Sequence, residues 1–126
     1  MAVTLKKIVR PNPINRDIEK WYFTQERSGT VGMKEIAGEI AKRSSLSSGD
    51  VQSVLSNLVE LLPVFLKIGQ SIRLEGFGSF RLSVTSEGTE TAEELTFHQV
   101  QKVKLVFLPS KELKRSFEDI SFEITQ

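Results

Sequence analysis

The stretch that most constrains the fold is residues 69–84, which read GQSIRLEGFGSFRLSV. Apolar and polar residues alternate on both sides of Gly76-Phe77-Gly78, with Ile72 and Leu74 before it and Phe80 after it. A period of two places the apolar side chains on one face, as in a half-buried antiparallel sheet. Glycines suit a tight connection between two strands. The stretch therefore predicts a short β-hairpin, which is stable only if other elements cover its apolar face.

A long amphipathic helix is predicted immediately before this hairpin. Ser47 is placed to cap the helix, and Asp50 follows three residues later, as in a capping box. Apolar residues then recur at helical spacing up to Ile68, and Gly69 is a typical helix end. A shorter stripe that begins at Met33 predicts another helix before it. The long helix has more apolar side chains than one hairpin can cover, and we expect a dimer to bury the excess. These additional residues are Val59, Val64 and Leu66.

The chain after the hairpin predicts an arm, a third strand and a last helix. Residues 85–101 are rich in Thr, Ser, Gly and Glu and contain no Lys or Arg, which is typical of a flexible excursion from a sheet. Apolar residues alternate again from Val103 to Phe107, and Pro109 ends this strand. Ser110 is then placed to cap a short helix. The order of elements indicates an α+β fold.

The first 29 residues are predicted to form a separate β extension. Residues 5–10 read as a strand that ends at Pro11, and residues 19–25 contain three consecutive aromatic residues that favour a second strand. Trp21-Tyr22-Phe23 is either a platform on which bases stack or a surface that packs on the rest of the protein. We favour packing. The predicted domains are residues 1–29 and residues 30–126.

Composition excludes several classes of function. The chain has no cysteine, so it has no disulfide or thiol chemistry, which suits a reducing cytoplasm. Its first residues lack the apolar region of a signal peptide, and its densest apolar run is too short to span a membrane. The only histidine, His98, has no cysteine or histidine partner for a metal site and no serine elbow beside it. We therefore expect no enzyme, no cofactor and no metal. A net charge of +1 means that any nucleic-acid surface depends on local placement of cations.

From residue 30 onwards, the sequence resembles the histone-like HU and integration host factor proteins. The resemblance covers about three quarters of the chain. The N-terminal segment, with Arg10-Pro11-Asn12-Pro13, resembles the extended histone-like variants of gut bacteria. The residues that carry the HU resemblance are Leu46-Ser47 and Asp50 at the long helix, Gly69 before the sheet, Gly76-Phe77-Gly78-Ser79-Phe80 at the hairpin, and Phe107 with Leu113-Lys114 at the end.

This resemblance implies a fold, a partner and a set of contact residues. The implied fold has two N-terminal helices, a three-stranded antiparallel sheet with a long arm, and a short C-terminal helix, here preceded by the β extension. The implied function is largely sequence-independent binding of double-stranded DNA by a homodimer in the cytoplasmic nucleoid. Lys111 and Lys114 match family lysines on the DNA side of the body, where a cation contacts phosphate without reading sequence. The full predicted set of DNA-binding residues is Arg81, Lys102, Lys104, Lys111, Lys114 and Arg115.

The arm departs from the family pattern. Ser83 and Thr85 stand where the family has arginines, and the arm has no proline to wedge between base pairs. Four glutamates there would repel a phosphate backbone. An acidic arm leads to a second hypothesis, in which the same dimer is a protein-interaction module with weak or no DNA binding. The glutamates are Glu87, Glu90, Glu93 and Glu94.

Overall fold

The computed structural model describes residues 2–125, and in this range the chain is mixed α+β, as predicted. It divides into two compact units. Residues 2–31 and 117–125 form the first, here called the sheet unit, and residues 32–116 form the second, here called the body. None of the helices within residues 2–125 has the length and apolarity needed to span a membrane. In chain order the elements are β1 (Val3–Pro11), β2 (Glu19–Glu26), α1 (Met33–Lys42), α2 (Ser48–Lys67), β3 (Ile72–Leu74), β4 (Gly78–Ser86), a 3₁₀ turn (Phe97–Gln99), β5 (Val100–Pro109), α3 (Lys111–Arg115) and β6 (Phe122–Thr125).

The sheet unit is a three-stranded sheet in the order β2-β1-β6. β1 and β2 are antiparallel, with Ile8 opposite Tyr22, and the turn between them is held by Asn12, whose side-chain oxygen accepts from the Ile14 amide at 2.8 Å. β6 pairs with β1 in parallel, with Leu5 opposite Ile124. The sequence predicted only the first two strands here. The third strand, β6, comes from the C-terminal end of the chain. It has four residues and no turn signal beside it, so the sequence does not indicate that it pairs with β1. The division into domains at residues 29 and 30 remains a prediction.

The two long helices of the body begin where their sequence signals predict. The Asp50 amide donates to Ser47 Oγ at 3.1 Å, so Ser47 is the N-cap of α2. α2 continues through Pro63 and ends before Gly69, whose φ of +88° suits a residue without a Cβ atom. α1 packs on α2, and Ala37 on α1 and Val51 on α2 are buried.

The body sheet has the order β3-β4-β5, with both pairs antiparallel. At its base, the ring centroid of Phe107 lies 5.1 Å from that of Phe77 and 4.9 Å from that of Phe80. The Ser110 amide donates to the Phe77 carbonyl oxygen at 3.0 Å and so attaches the start of α3 to the β3–β4 turn. Ser110 caps α3, as predicted, because its Oγ accepts from the Leu113 amide at 3.0 Å.

The arm is more regular than the sequence predicted. β4 and β5 stay paired as far as Thr85 opposite Lys102 and Ser86 opposite Val100, with an irregularity between the two pairs. The segment outside the ladder is therefore residues 87–99 and not the predicted 85–101. The two strands are longer than predicted because their backbones stay paired where the side chains are already polar. A pattern of apolar residues cannot indicate pairing of that kind. Thr96 caps the 3₁₀ turn within this segment, here called the arm tip.

Few apolar side chains are buried in the chain on its own. Among the described residues, the buried apolar side chains are those of Ala37, Val51 and Leu66. On the apolar side of the body sheet, Val103 is 55% and Leu105 60% exposed. Trp21 in the sheet unit is 71% exposed in one chain, and the favoured packing of this aromatic segment on the rest of the protein remains a prediction. A single chain thus leaves large apolar surfaces uncovered.

Candidate nucleic-acid interface

The three cations predicted at the root of the arm lie on one face of the body sheet. The register pairs Lys104 with Ser83 and Lys102 with Thr85, and Arg81 is two residues before Ser83 on β4. Directly opposed residues share a face, and so do residues two apart on one strand. The same rule places the apolar side chains together on the other face, which carries Phe80, Leu82, Val84, Val103, Leu105 and Phe107.

The spacing of these cations is fixed by strand geometry. Lys102 and Lys104 are two residues apart, which corresponds to about 6.8 Å along β5. Arg81 is a diagonal cross-strand neighbour of Lys104, at about 7–8 Å between Cα atoms. All three side chains are exposed, and none forms an ion pair within residues 2–125. Their charge is therefore open to an external anion.

The other three predicted contact residues lie on α3. Lys111, Lys114 and Arg115 are three and four positions apart, so they project from one side of this short helix, and all three are exposed. α3 begins beside the face that carries Arg81, because its first residues and that face line one shallow cleft of about 270 Å³. The lining side chains from the sheet and from α3 include Arg73, Ser79, Leu108, Ser110 and Glu112. Contact between DNA and any of these six cations stays a prediction.

Charge is segregated along the arm. The cations lie at its root, whereas the four glutamates lie within residues 87–94, at or beyond the end of the paired strands. His98 also lies in the arm tip, where its ring centroid is 4.2 Å from that of Phe97. An anionic tip repels phosphate, so the surface suited to a polyanion is the arm root together with α3.

The sequence analysis missed a second group of cations, on β1 and β2. Lys6 and Arg10 are four residues apart on β1, and Lys20 lies on β2. Because successive side chains of a strand point to opposite faces, this even spacing was a signal that Lys6 and Arg10 share a face. The sequence alone did not indicate the register in which β1 pairs with β2, which places Lys20 on the same face as Lys6 and Arg10.

Comparisons with known proteins bear on the fold and the family. Residues 1–124 match the family model HU-HIG, described as an HU domain fused to a wHTH, Ig or glycine-rich motif. No curated protein matches the sequence. A Bacteroides vulgatus protein, described as a candidate bacterial DNA-binding protein, superposes with a TM-score of 0.65 at 13% identity, over 97% of this chain and 48% of that one. HU of Anabaena, cocrystallised with DNA, superposes with a TM-score of 0.55 at 16% identity, over 71% of this chain and 99% of that one.

These likenesses differ in what they cover. The chain spans about half the length of the Bacteroides protein. It spans nearly the whole of Anabaena HU, and that match uses 71% of this chain. At 13% and 16% identity, both likenesses are of fold.

Proposed function

The chain belongs to the HU-HIG family, and from this premise we propose that it binds double-stranded DNA as a homodimer, largely without regard to base sequence. The observation that carries the proposal is the set of exposed cations without ion-pair partners at the arm root, Arg81, Lys102 and Lys104. The shared fold of HU, crystallised with DNA, supports it. We assign the protein an architectural role on the bacterial nucleoid in the cytoplasm, with no catalytic step and no cofactor.

The proposed contacts are to phosphate. Neighbouring arm-root cations are about 7–8 Å apart and the α3 cations about 5–6 Å apart, and each group presents three positive charges to a row of phosphates. Such contacts position a protein on a duplex but carry no sequence information. They gain free energy from the release of condensed counterions, so the affinity falls as salt rises. The arm lacks the proline wedge of the family, and the glutamates of its tip repel phosphate, so we propose no intercalation.

The dimer is proposed from the exposed surface of one chain. The chain of 14.2 kDa exposes 11032 Å². Two separate compact globules with the sizes of the sheet unit and the body would expose about 8,000 Å². The excess of about 3,000 Å² per chain, or about 6,000 Å² for two chains, is at the upper end of the total area that obligate dimers bury.

The body has an apolar groove suited to a second copy. The groove lies between α2 and the apolar face of the body sheet, and its volume is about 510 Å³. It is open, and its rim includes the exposed side chains of Val59, Val103 and Leu105. A second copy is the occupant we propose, because the uncovered area matches what a stable dimer needs. Each groove would then be filled by apolar residues of the other body.

The test is DNA binding as a function of salt, measured by fluorescence anisotropy with a labelled duplex. The logarithm of the affinity should fall linearly with the logarithm of salt concentration, with a slope of about −0.9 for each phosphate contact. The variants R81Q/K102Q/K104Q and K111Q/K114Q/R115Q should each reduce the magnitude of this slope by up to about 2.7 for each subunit that contacts DNA.

The matched control is K34Q/K42Q/R43Q, which removes three charges from α1 and its C-cap. It should change the slope by less than about 1. If the unmodified protein at micromolar concentration fails to bind the duplex at about 50 mM salt, the proposal is wrong. The hypothesis of a protein-interaction module would then be preferred.

A further inference from the structure

The sheet unit has two chemically different faces. Lys6, Ile8 and Arg10 of β1 lie opposite Thr24, Tyr22 and Lys20 of β2, so these six side chains share one face. The intervening residues form the other face, which is mostly apolar and has Lys7, Glu19 and Gln25 as its polar members. It carries Val9, Trp21, Phe23, Phe122 and Ile124. We call the first of these the basic face.

The basic face places like charges side by side. Arg10 is directly opposite Lys20, and both side chains are exposed and without an ion-pair partner within residues 2–125. The acidic residues of this face, Glu26 and Glu123, lie beside Thr4 at the other end, where they are diagonal neighbours of Lys6 but remote from Arg10 and Lys20. Like charges that face each other across a ladder destabilise a sheet. The repulsion would be relieved by an anion that contacts both side chains.

The patch arises from placement and not from composition. The sheet unit contains six basic and six acidic residues, so its net charge gives no attraction to a polyanion. Tyr22 lies between the charges and is 48% exposed, which leaves its hydroxyl available to donate to a phosphate oxygen. Lys6 and Arg10 are four residues apart, or about 13–14 Å along β1.

We propose that the basic face is a second DNA-binding surface, which contacts phosphates through Lys6, Arg10 and Lys20. This inference rests on the proposed function. A separation of about 13–14 Å corresponds to about four phosphates of one strand, measured along the axis of a duplex. Duplex DNA therefore supplies anions over the whole length of the patch. The acidic arm tip of a second copy, with its four glutamates, is the alternative that the test below distinguishes.

The test uses the full chain and the same salt titration. The variant K6Q/R10Q/K20Q neutralises the basic face, and K7Q/R16Q/R27Q removes the same number of charges from other positions of the sheet unit. The first variant should reduce the magnitude of the salt slope by about 2.7 for each subunit that contacts DNA, and the control by less than about 1. The melting temperature of K6Q/R10Q/K20Q should not fall, because the variant removes the repulsion between the directly opposed Arg10 and Lys20. Circular dichroism measures this before the titration.

The outcomes separate the two proposals. If the unmodified protein does not bind the duplex, the proposed function fails and this inference with it. If it binds, but K6Q/R10Q/K20Q has the salt slope of its control, only the inference is overturned. If K6Q/R10Q/K20Q lowers the mass of the assembly in light scattering without DNA, and leaves the salt slope unchanged, the basic face contacts another copy and the inference is again wrong.

Discussion

The substitution Gly78→Ala should strongly destabilise the body. Gly78 is buried at the start of β4, and its φ is +154°. A Cβ atom there would overlap the carbonyl oxygen of Leu108 and lie 2.7 Å from Cε1 of Phe107. The backbone at Leu108 and the packed ring of Phe107 cannot move away from the new atom, whereas the end of a flexible side chain could. Two costs therefore act together, backbone strain and overpacking.

The magnitude follows from these two costs. A non-glycine residue at an unfavourable φ costs about 1–3 kcal/mol. Overpacking against neighbours that cannot move costs about 1–3 kcal/mol more. We expect Gly78→Ala to lower the free energy of unfolding by about 2–6 kcal/mol, compared with a total of about 5–15 kcal/mol for a typical domain.

Gly76→Ala is the matched control. Gly76 lies in the same turn with a φ of +78°, but a Cβ atom there meets no atom within 4 Å. Only the backbone cost applies, so the expected loss is about 1–2 kcal/mol. Urea unfolding at fixed protein concentration, followed by far-ultraviolet circular dichroism, reports α1 and α2 and therefore the body. A Gly78→Ala variant as stable as Gly76→Ala would refute the steric argument.

Two further predictions concern the proposed dimer and the arm. Leu105→Arg places a charge in the apolar groove and should shift the mass in light scattering from twice 14.2 kDa towards 14.2 kDa, whereas Ser83→Arg on the opposite face should leave the dimer intact. A Leu105→Arg protein that remains dimeric would place the interface elsewhere. Neutralising the arm tip with E93Q/E94Q should raise DNA affinity a few-fold in anisotropy at low salt, because it removes repulsion from phosphate. The control E35Q/E60Q should raise it less, and equal gains would mean that only net charge matters.

The sequence predicted the body well because its signals are local. Ser47 and Asp50 are three residues apart, and Ser110 caps the helix that follows it directly, so each cap is readable within one turn. The alternation around Gly76 likewise requires only neighbouring residues. The hairpin, the two helices and the third strand were therefore all anticipated, with errors confined to the ends of the arm.

The parts that sequence reasoning missed depend on distant pairing. β6 joins β1 through Leu5 and Ile124, which are more than a hundred residues apart. Nothing within residues 122–125 indicates a parallel partner at the start of the chain. The sequence analysis recognised the aromatic residues of β2 as a surface. It did not assign each of them to a face of the sheet, because that assignment requires the register between β1 and β2.

The same register links the stability of the sheet unit to its proposed function. Lys6 and Lys7 are consecutive, yet they lie on opposite faces, and only Lys6 joins Arg10 and Lys20. A slip of one residue between β1 and β2 would bring Lys6 and Arg10 onto the face of Trp21 and remove the basic face. The cross-strand contact between Val9 and Trp21 favours the observed register, since such a slip would separate this pair. The hydrophobic pattern that specifies the pairing of these strands therefore also determines where their cations meet.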